Sequence, residues 1–367
     1  MRSRRLAVPL LSVCTAALLA LTACGGNAER SAEGPNGAPT ELAISVTGNW
    51  VTSYAPLWAA APELAEIEKK YDTTITYPSF GKGNDALTAV LGGAAQICNC
   101  SYNTGLKAAL AKDELRYVVN MFDGAGTVAI GAKKFEAERG TDLAKYDGGN
   151  WGYTSEGSLS QINLRAAAEH AGLDWANQKG IATGSIAASQ PALQSGRVDI
   201  AMMDVASAAK SVHDGDGYPV LNSNDLTAFG PVTGTVIGNG LIMTKEFQDT
   251  YPALSQDLVT AVVAGLNRVR AETDPTKLLA MMPEGFQEAH ADAAVFDVEW
   301  AFTQPSFLPT DGSTSEQAVK DTTAGGDFTE AELSSPAATS FVDNSMVDKA
   351  YQQLGIPRPT LQAAPAS

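Results

Sequence analysis

The sequence has few of the residues that usually carry catalysis or hold metals. It contains three histidines and four cysteines in 367 residues, and none of the histidines lies in a metal-ligand motif with cysteines or acidic residues. It also has no Gly-x-Ser-x-Gly motif of the kind that presents a serine nucleophile in hydrolases. These absences argue against a metalloenzyme and against a serine hydrolase of that type.

Positive charge is scarce as well. Lysine and arginine number 25 against 41 aspartates and glutamates, which gives a formal net charge of −16. Three of the arginines lie within residues 1–23, which hold no acidic residue, so the remainder of the chain carries −19. Such an acidic protein is not expected to bind nucleic acid, or to bind an anionic membrane surface through its own side chains.

A long hydrophobic run occurs only near the N-terminus, and elsewhere no stretch approaches the roughly 18 apolar residues of a membrane span. Arginines precede the apolar residues 6–19, and Leu21-Thr22-Ala23-Cys24 follows. This arrangement is typical of a bacterial lipoprotein signal, in which the cysteine becomes the lipidated first residue. We predict a signal peptide over 1–23, then lipidated Cys24 and a flexible tether over 24–40. The protein would be exported and anchored at the outer face of the cell membrane; a plain secreted protein is the alternative.

Cys98 and Cys100 are the only cysteines beyond this segment apart from the lipidated one, since Cys14 belongs to the signal. Two residues apart on a strand, they face the same side with Cα atoms about 6.6 Å apart, near the limit for a disulfide. Packed thiols are the first expectation and a strained bridge is the second.

The rest of the chain alternates between strand-like and helical patterns. We predict strands at 42–47, 74–77, 95–100, 115–122, 128–132, 151–154, 180–183, 198–203, 218–221 and 235–244. This alternation with helices favours a mainly parallel α/β sheet. One helix is predicted over 53–70, a long one over 254–270 and a final one over 344–354. Residues 304–336 are predicted to be irregular and 356–367 to form a disordered tail.

One part of the chain repeats another. Residues 91–101 can be aligned with residues 194–204: in both, a helix ends at a glycine, and a polar residue and isoleucine then begin a strand. Each strand ends in a polar residue before another helix. If this is not a chance resemblance, the chain contains two similar α/β units, and ligands of such sheets bind beyond the carboxyl ends of the strands. Polar loops of two facing units would line one cleft.

The stretch 151–173 belongs to the second unit. A short strand is followed by a serine-rich loop and then by an alanine-rich helix, with Ser158 and Gln161 spaced as a capping box. The free N–H groups and the dipole at such a helix start favour an oxyanion. An ordinary capped helix packed on a strand is the alternative.

These features resemble the solute-binding lipoproteins of ATP-driven importers, in the group that binds nitrate, sulfonates, taurine and thiamine precursors. The residues that carry the resemblance are 42–47 with Trp50, 54–60, the Gly81/Gly83 loop, 155–158 and 250–255. The resemblance implies an α/β, two-lobed periplasmic-binding-protein-like fold of type II, with the ligand cleft between lobes joined by crossings near 122–127 and 221–229. Lobe 1 would comprise 41–124 plus 225–355, and lobe 2 would comprise 125–224.

The resemblance also implies a function. The lobes would close on a small organic anion or zwitterion and deliver it to a permease with its ATPase, without catalysis, cofactor or metal, and as a monomer. A pyrimidine that serves as a thiamine precursor is the alternative ligand. The chain departs from the family at Gln96, where an acidic residue is usual, and at Cys98-Asn99-Cys100. Related precursor synthases carry a cysteine-rich segment there, but one Cys-x-Cys is too little to transfer that activity.

Most candidate ligand contacts lie in the loops that follow predicted strands, and Asn239 lies within the last strand. They are Asn49, Trp50, Tyr54, Lys82, Ser101, Tyr102, Asp123, Ser155, Ser158, Ser160, Ser185, Asp204 and Asn239. The aromatic rings could stack on a planar group or pack in the core. Asp204 could pair with a ligand amine or cap the next helix. Lys82 could neutralise an anion or remain solvated.

Overall fold

The computed structural model describes residues 37–226, 237–324 and 328–362, which form two β-sheets with helices on both faces. The predicted signal peptide, Cys24 and most of the tether lie outside the described residues. The first sheet contains β1 (Glu41–Thr47), β2 (Thr74–Thr76), β3 (Ser79–Phe80), β4 (Ile97–Ser101), β5 (Leu115–Asn120) and β11 (Asn239–Thr244). The second contains β6 (Thr127–Ala132), β7 (Asn150–Tyr153), β8 (Lys179–Ala182), β9 (Ile200–Asp204) and β10 (Gly217–Asn222). We call each sheet with its helices a lobe.

The helices fall into the same two groups. The first lobe carries α1 (Ala55–Ala59), α2 (Ala61–Tyr71), α3 (Gly83–Leu91), α4 (Tyr102–Lys112), α9 (Lys245–Thr250), α10 (Pro252–Ala271), α11 (Pro275–Met281), α12 (Glu284–Ala289), α14 (Glu316–Ala324), α15 (Glu330–Leu333), α16 (Pro336–Phe341) and α17 (Ser345–Leu354). The second carries α5 (Glu136–Arg139), α6 (Leu159–His170), α7 (Ile186–Gln194) and α8 (Val205–His213). One helix, α13 (Ala293–Thr303), packs on both lobes.

Both sheets are mainly parallel, as predicted, and each contains one strand that runs opposite to the others. The strand order is β2-β1-β4-β11-β5, with β3 beside β1, and β10-β6-β9-β7-β8. β11 runs antiparallel to β4 and β5, and β6 runs antiparallel to β9 and β10. β6 and β11 are the strands that come first after the chain crosses from the other lobe. The chain reaches both strands from the other lobe and not through a crossover within the same sheet, which is the connection that links consecutive parallel strands.

Two segments connect the sheets. The chain leaves the first sheet after Asn120 and joins the second at Thr127, and it returns between Asn222 and Asn239. An antiparallel bridge between Asp123 and Ile237 ties the two segments together. Residues 227–236, which include part of the predicted second crossing and the start of the predicted strand at 235–244, lie outside the described residues.

Each sheet is covered by apolar side chains on both faces. In the first lobe one face packs against α1, α2, α10, α13 and α17 with Trp58 and Trp300 in the core, and the other packs against α3, α4 and α16. In the second lobe α7 and α8 cover one face and α6 covers the other. This arrangement is the predicted α/β class, in which helices protect both sides of the sheet. No helix in the described ranges is both long enough and apolar enough to cross a membrane.

The internal repeat is present in the structure as α3–β4–α4 and α7–β9–α8. After both helices comes a glycine in the left-handed region, Gly93 with φ 77° and Gly196 with φ 72°. Both strands then lead directly into the next helix through a capping side chain, Ser101 or Asp204. The similarity predicted from the sequence is therefore a similarity of backbone structure.

Two predicted elements differ from the structure. The single helix over 53–70 is divided at Ala60 into α1 and α2, because Pro62 lacks an N–H donor and is tolerated only in the first turn of a helix. The region 304–336 is not irregular throughout, since it contains α14 and α15. The start of α15 has a capping box in which Thr329 and Glu332 bond reciprocally, a signal that the sequence analysis missed.

The two thiols are also joined, contrary to the first expectation. Cys98 and Cys100 form a disulfide, with Cα atoms 5.3 Å apart. Both residues are fully buried on β4, beneath α3 and α4. The Cα separation is shorter than that of a flat strand and lies within the normal disulfide range.

Candidate ligand-binding site

An uncharged cluster lies at the carboxyl end of β1. The Tyr54 hydroxyl is 2.6 Å from Thr47 Oγ1, and the Asn239 amide donates to the same hydroxyl at 3.1 Å. Asn239 Nδ2 also lies 3.5 Å from the carbonyl of Asn99. Burial raises the pKa of Tyr54, so its hydroxyl stays neutral. Tyr54 and Asn239, two of the predicted contacts, are thus brought together, and the cluster offers neutral hydroxyl and amide groups.

Ser101 and Asp204 end the equivalent strands β4 and β9, and both cap the following helix. Ser101 Oγ accepts from the Thr104 N–H at 3.3 Å, and Asp204 Oδ1 accepts from the Ser207 N–H at 3.0 Å. The second carboxylate oxygen of Asp204 is buried and has no hydrogen-bond partner among the described residues. Capping therefore uses only Oδ1, and Oδ2 could accept a hydrogen bond from an N–H group of a ligand.

Polar residues that the sequence analysis missed meet at Thr127, beside Asp204. Thr127 is its cross-strand partner on β6. The Asn163 amide on α6 donates to Thr127 Oγ1 at 3.1 Å, and Ser223 Oγ lies 2.9 Å from the same oxygen. Asn163, a polar residue one turn into α6, was the only one of these three that the sequence could have suggested as a site residue. Thr127 and Ser223 come together only because the two crossing segments lie side by side.

The serine loop before α6 is hydrogen-bonded within itself. Ser158 Oγ accepts from the Gln161 N–H at 3.3 Å, as predicted, but Gln161 Oε1 accepts from the Gly157 N–H at 2.6 Å rather than from Ser158. Ser160 is buried and its hydroxyl accepts from the Thr154 N–H at 3.0 Å. Ser155 is exposed. The hydroxyls of Ser158 and Ser160 therefore hold the loop in shape.

The carboxylate of Glu156 lies at the start of the same helix, α6. Glu156 accepts hydrogen bonds from Tyr153 Oη and Gln161 Nε2, and these bonds lower its pKa. The negative charge of Glu156 thus already interacts with the positive end of the helix dipole. This charge disfavours a second anion at that position.

Trp50 is packed rather than free. Its backbone has φ 58°, in the left-handed region that bulky residues rarely adopt. Its ring lies 4.8 Å from that of Trp58 and covers Gly285 on α12, where an added Cβ would lie 2.5 Å from the Trp50 ring. The neighbouring Asn49 is exposed. The ring therefore fixes the turn after β1 against α12.

Tyr102 lies in the core. Its ring is 1% exposed and packs edge-on against Tyr117 and Phe341, each 5.3 Å away, and burial raises its pKa to about 12. Lys82 and Ser185 occupy equivalent exposed positions directly before α3 and α7, and neither side chain caps its helix. Lys82 and Ser185 remain open to solvent, whereas Tyr102 supports the sheet.

Asp123 lies on the first crossing and is 4% exposed. Burial raises its pKa to about 7; the Asn120 amide, which donates to it at 2.7 Å, opposes this shift, and Asp311 adds to it. Its own N–H donates to the Ser306 carbonyl at 2.8 Å. These contacts hold the crossing segment in place. In the described ranges no group of three histidine, cysteine or acidic side chains is placed to hold a metal.

Comparisons with known proteins agree with this architecture. The model of the NMT1-like family matches residues 39–282. No curated protein matches the chain. The structure is similar to the periplasmic aliphatic sulphonate binding protein SsuA from Escherichia coli, with 18% identity, a TM-score of 0.62, and coverage of 85% of this chain and 100% of that one.

Two further structures are similar. The alkanesulfonate-binding protein SsuA from Xanthomonas axonopodis pv. citri, bound to MOPS, has 18% identity and a TM-score of 0.59, covering 83% of this chain and 99% of that one. The periplasmic nitrate-binding protein NrtA from Synechocystis PCC 6803 has 12% identity and a TM-score of 0.60, covering 88% and 91%. These likenesses confirm the predicted two-lobed periplasmic-binding-protein fold.

Proposed function

Since the chain belongs to the NMT1-like family, we propose that it is an extracytoplasmic solute-binding protein of an ABC importer rather than an enzyme. The observation that carries the proposal is the pair of equivalent α/β units, each presenting polar side chains at the carboxyl end of its central strand. This edge is where open α/β sheets bind ligands. The structural relatives, which are named for sulfonate and nitrate binding, support the same role.

The polar groups favour a small organic zwitterion over a bare anion such as nitrate. Asp204 has a free carboxylate oxygen suited to an ammonium or another N–H donor. Tyr54 and Asn239 offer neutral hydrogen-bonding groups to the rest of the solute. A taurine-like molecule satisfies both requirements. A pyrimidine with an exocyclic amine is the second candidate, because its amine could also donate to Asp204.

The proposed mechanism is lobe closure. A solute that contacts both lobes stabilises the closed form, because it gains hydrogen bonds there that the open form cannot supply. The lobes that would close are lobe 1 (41–124 plus 225–355) and lobe 2 (125–224). The closed form would dock on a permease with its ATPase, as a monomer anchored to the outer face of the membrane by a lipid on Cys24.

A thermal-shift panel on the purified mature chain tests this function. Taurine, ethanesulfonate, nitrate, amino acids and pyrimidines would each be added in excess. We expect one class of solute to raise the melting temperature without being consumed, since a ligand at 100 times its dissociation constant adds about 2.7 kcal/mol to the free energy of unfolding. Turnover of the solute, or a flat response to the whole panel, would contradict the proposal.

A further inference from the structure

Three polar side chains from separate elements meet away from the strand ends described above. Thr52 lies in the turn after β1, His290 directly follows α12, and Glu299 is on α13. Thr52 is 1% exposed, and the side chains of His290 and Glu299 are 9% and 6% exposed. His290 Nε2 is 3.1 Å from Thr52 Oγ1 and 3.6 Å from Glu299 Oε1, and Thr52 Oγ1 also bonds Glu299. We call these three residues the clasp.

The hydrogen bonds of the clasp require one shared proton. His290 Nδ1 is 2.8 Å from the carbonyl of Phe286, which can only accept, so Nδ1 carries a proton. If Thr52 donates its single O–H to an ionised Glu299, Nε2 must also be protonated in order to donate to Thr52. If Glu299 is protonated instead, it donates to Thr52, and Thr52 donates to neutral Nε2. In both arrangements the clasp is neutral overall and fully bonded.

Among the described residues, Glu299 is the ionisable side chain that acts on His290. Its ring stacks on Phe286 at 4.1 Å and packs edge-on against Phe296 at 5.1 Å. The acidic neighbours in sequence, Glu288 and Asp292, are exposed. Burial lowers the pKa of His290, but its bonds to Glu299 and to the Phe286 carbonyl outweigh burial and raise the pKa above its usual value.

The clasp also lies where the two lobes and the turn after β1 come together. Thr52 lies two residues before Tyr54, whose hydroxyl belongs to the candidate site. Helix α13 also places Phe302 in the core of the second lobe, together with residues of α8. Asn222, at the end of β10, and Asn224, in the second crossing, donate to the Phe302 carbonyl at 2.9 and 3.1 Å. Helix α13 thus contacts the turn, the second lobe and the second crossing.

We propose that Thr52, His290 and Glu299 are positioning residues that hold the turn from Trp50 to Tyr54 through one shared proton and link that turn to the second lobe through α13. Loss of the proton leaves an ionised Glu299 and an unprotonated Nε2 on either side of the single Thr52 O–H, so one of these two buried acceptors has no donor. A buried charge without its partner is costly, so the turn is released. If the proposed solute-binding function is correct, solute affinity falls as the pH rises.

The fluorescence of Trp50 provides a test that needs no solute. Tryptophan emission of the full chain would be followed from about pH 5.5 to about pH 9, the range in which histidine titrates. Asp123, with a pKa of about 7, titrates in the same range, so the scan is made on the Asp123→Asn chain and on further variants of it. We expect one transition there with its midpoint above about 6.5, the usual histidine value. It should be absent in His290→Gln and lose most of its amplitude in Trp50→Phe. The exposed His170, changed to Gln, is the matched control and should leave the transition unchanged.

A second variant keeps the test valid if His290→Gln does not fold. Glu299→Gln retains a side chain that bonds Thr52 but removes the charge that stabilises the imidazolium, so the midpoint should move down by a unit or more. Three results would overturn the proposal: a transition that persists in His290→Gln, a Glu299→Gln midpoint that does not move, or no transition in the Asp123→Asn chain that keeps all three clasp residues. Each of these results leaves the solute-binding function standing, because that function is tested by the thermal-shift panel.

Discussion

Gln96 and Asp199 make equivalent hydrogen bonds to the neighbouring parallel strand in the two lobes. Gln96 Oε1 accepts from the Ala43 N–H at 2.7 Å, and the Gln96 N–H donates to the Ala43 carbonyl at 3.0 Å. Asp199 makes the same reciprocal pair with Asn150, at 3.1 and 2.8 Å. Each side chain joins the start of its strand to the parallel neighbour. The amide at position 96, which departs from the acidic residue usual in the family, is therefore sufficient for this role.

The first prediction concerns this shared role. Asp199→Asn should keep most of the stability, because an amide accepts the Asn150 N–H as Gln96 accepts that of Ala43. Asp199→Ala leaves a buried N–H without a partner and should lower the free energy of unfolding by about 1–3 kcal/mol. Urea denaturation of the two variants measures the difference. Equal losses would show that the charge of Asp199, which lies 3.6 Å from Arg139, matters more than the hydrogen bond.

The second prediction separates the two roles of Asp204. Asp204→Asn retains an oxygen that can cap α8 but removes the charge from the free side, so we expect solute binding to weaken about tenfold or more while stability changes little. Ser101→Ala is the matched control, because it removes the equivalent cap and should cost about 1 kcal/mol of stability. Calorimetric titration with the solute found by the panel measures binding. Undiminished affinity in Asp204→Asn would rule out the proposed amine contact.

The third prediction tests the serine loop. Ser158→Ala removes a cap and should lower stability by about 1 kcal/mol, whereas Ser155→Ala should have almost no effect because Ser155 is exposed. If the loop contacts solute, the double variant should lose more binding energy than folding energy. Calorimetric titration and denaturation of the same sample give both quantities. Matching losses would mean that the loop has only a structural role.

The fourth prediction is a pH dependence that arises at the first crossing. The pKa of Asp123 is about 7 in the folded protein and near 3.8 in the unfolded chain, so the folded state binds this proton more tightly. The free energy of unfolding should therefore fall as the pH rises between these two values, and the fall should end above about pH 7. Asp123→Asn should flatten this slope and melt higher than the unaltered chain at about pH 8. A variant that melts lower there would contradict the assignment.

Much of the fold could be predicted from local patterns. Local patterns are set by residues that lie close together in the sequence. They include the alternation of strands and helices, the repeat of 91–101 in 194–204, and the caps at Ser101, Ser158 and Asp204. The division of the 53–70 helix and the capping box at Thr329 were also readable in principle, from Pro62 and from the Thr-x-x-Glu spacing. The antiparallel placement of β6 and β11 could not be predicted from the sequence, because it depends on how the chain re-enters each sheet.

The candidate site was less predictable than the fold. Residue type and position after a strand selected Tyr102 and Asp204 alike, yet Tyr102 packs in the core and Asp204 retains a free oxygen. Trp50 was expected either to stack on a ligand or to pack, and its contact with Gly285 comes from a helix far along the chain. Exposure and hydrogen-bond partners, which separate such residues, are properties of the packed chain.

The sequence alone determined the acidic character, the lipoprotein-like start, the α/β alternation and the presence of two similar units, because composition and short-range periodicity are written directly in the order of residues. The tertiary structure decided which polar groups are used internally and which remain available. It also brought Thr52, His290 and Glu299 together from distant parts of the chain. Such meetings depend on the packing of whole helices and sheets, and no local pattern encodes them.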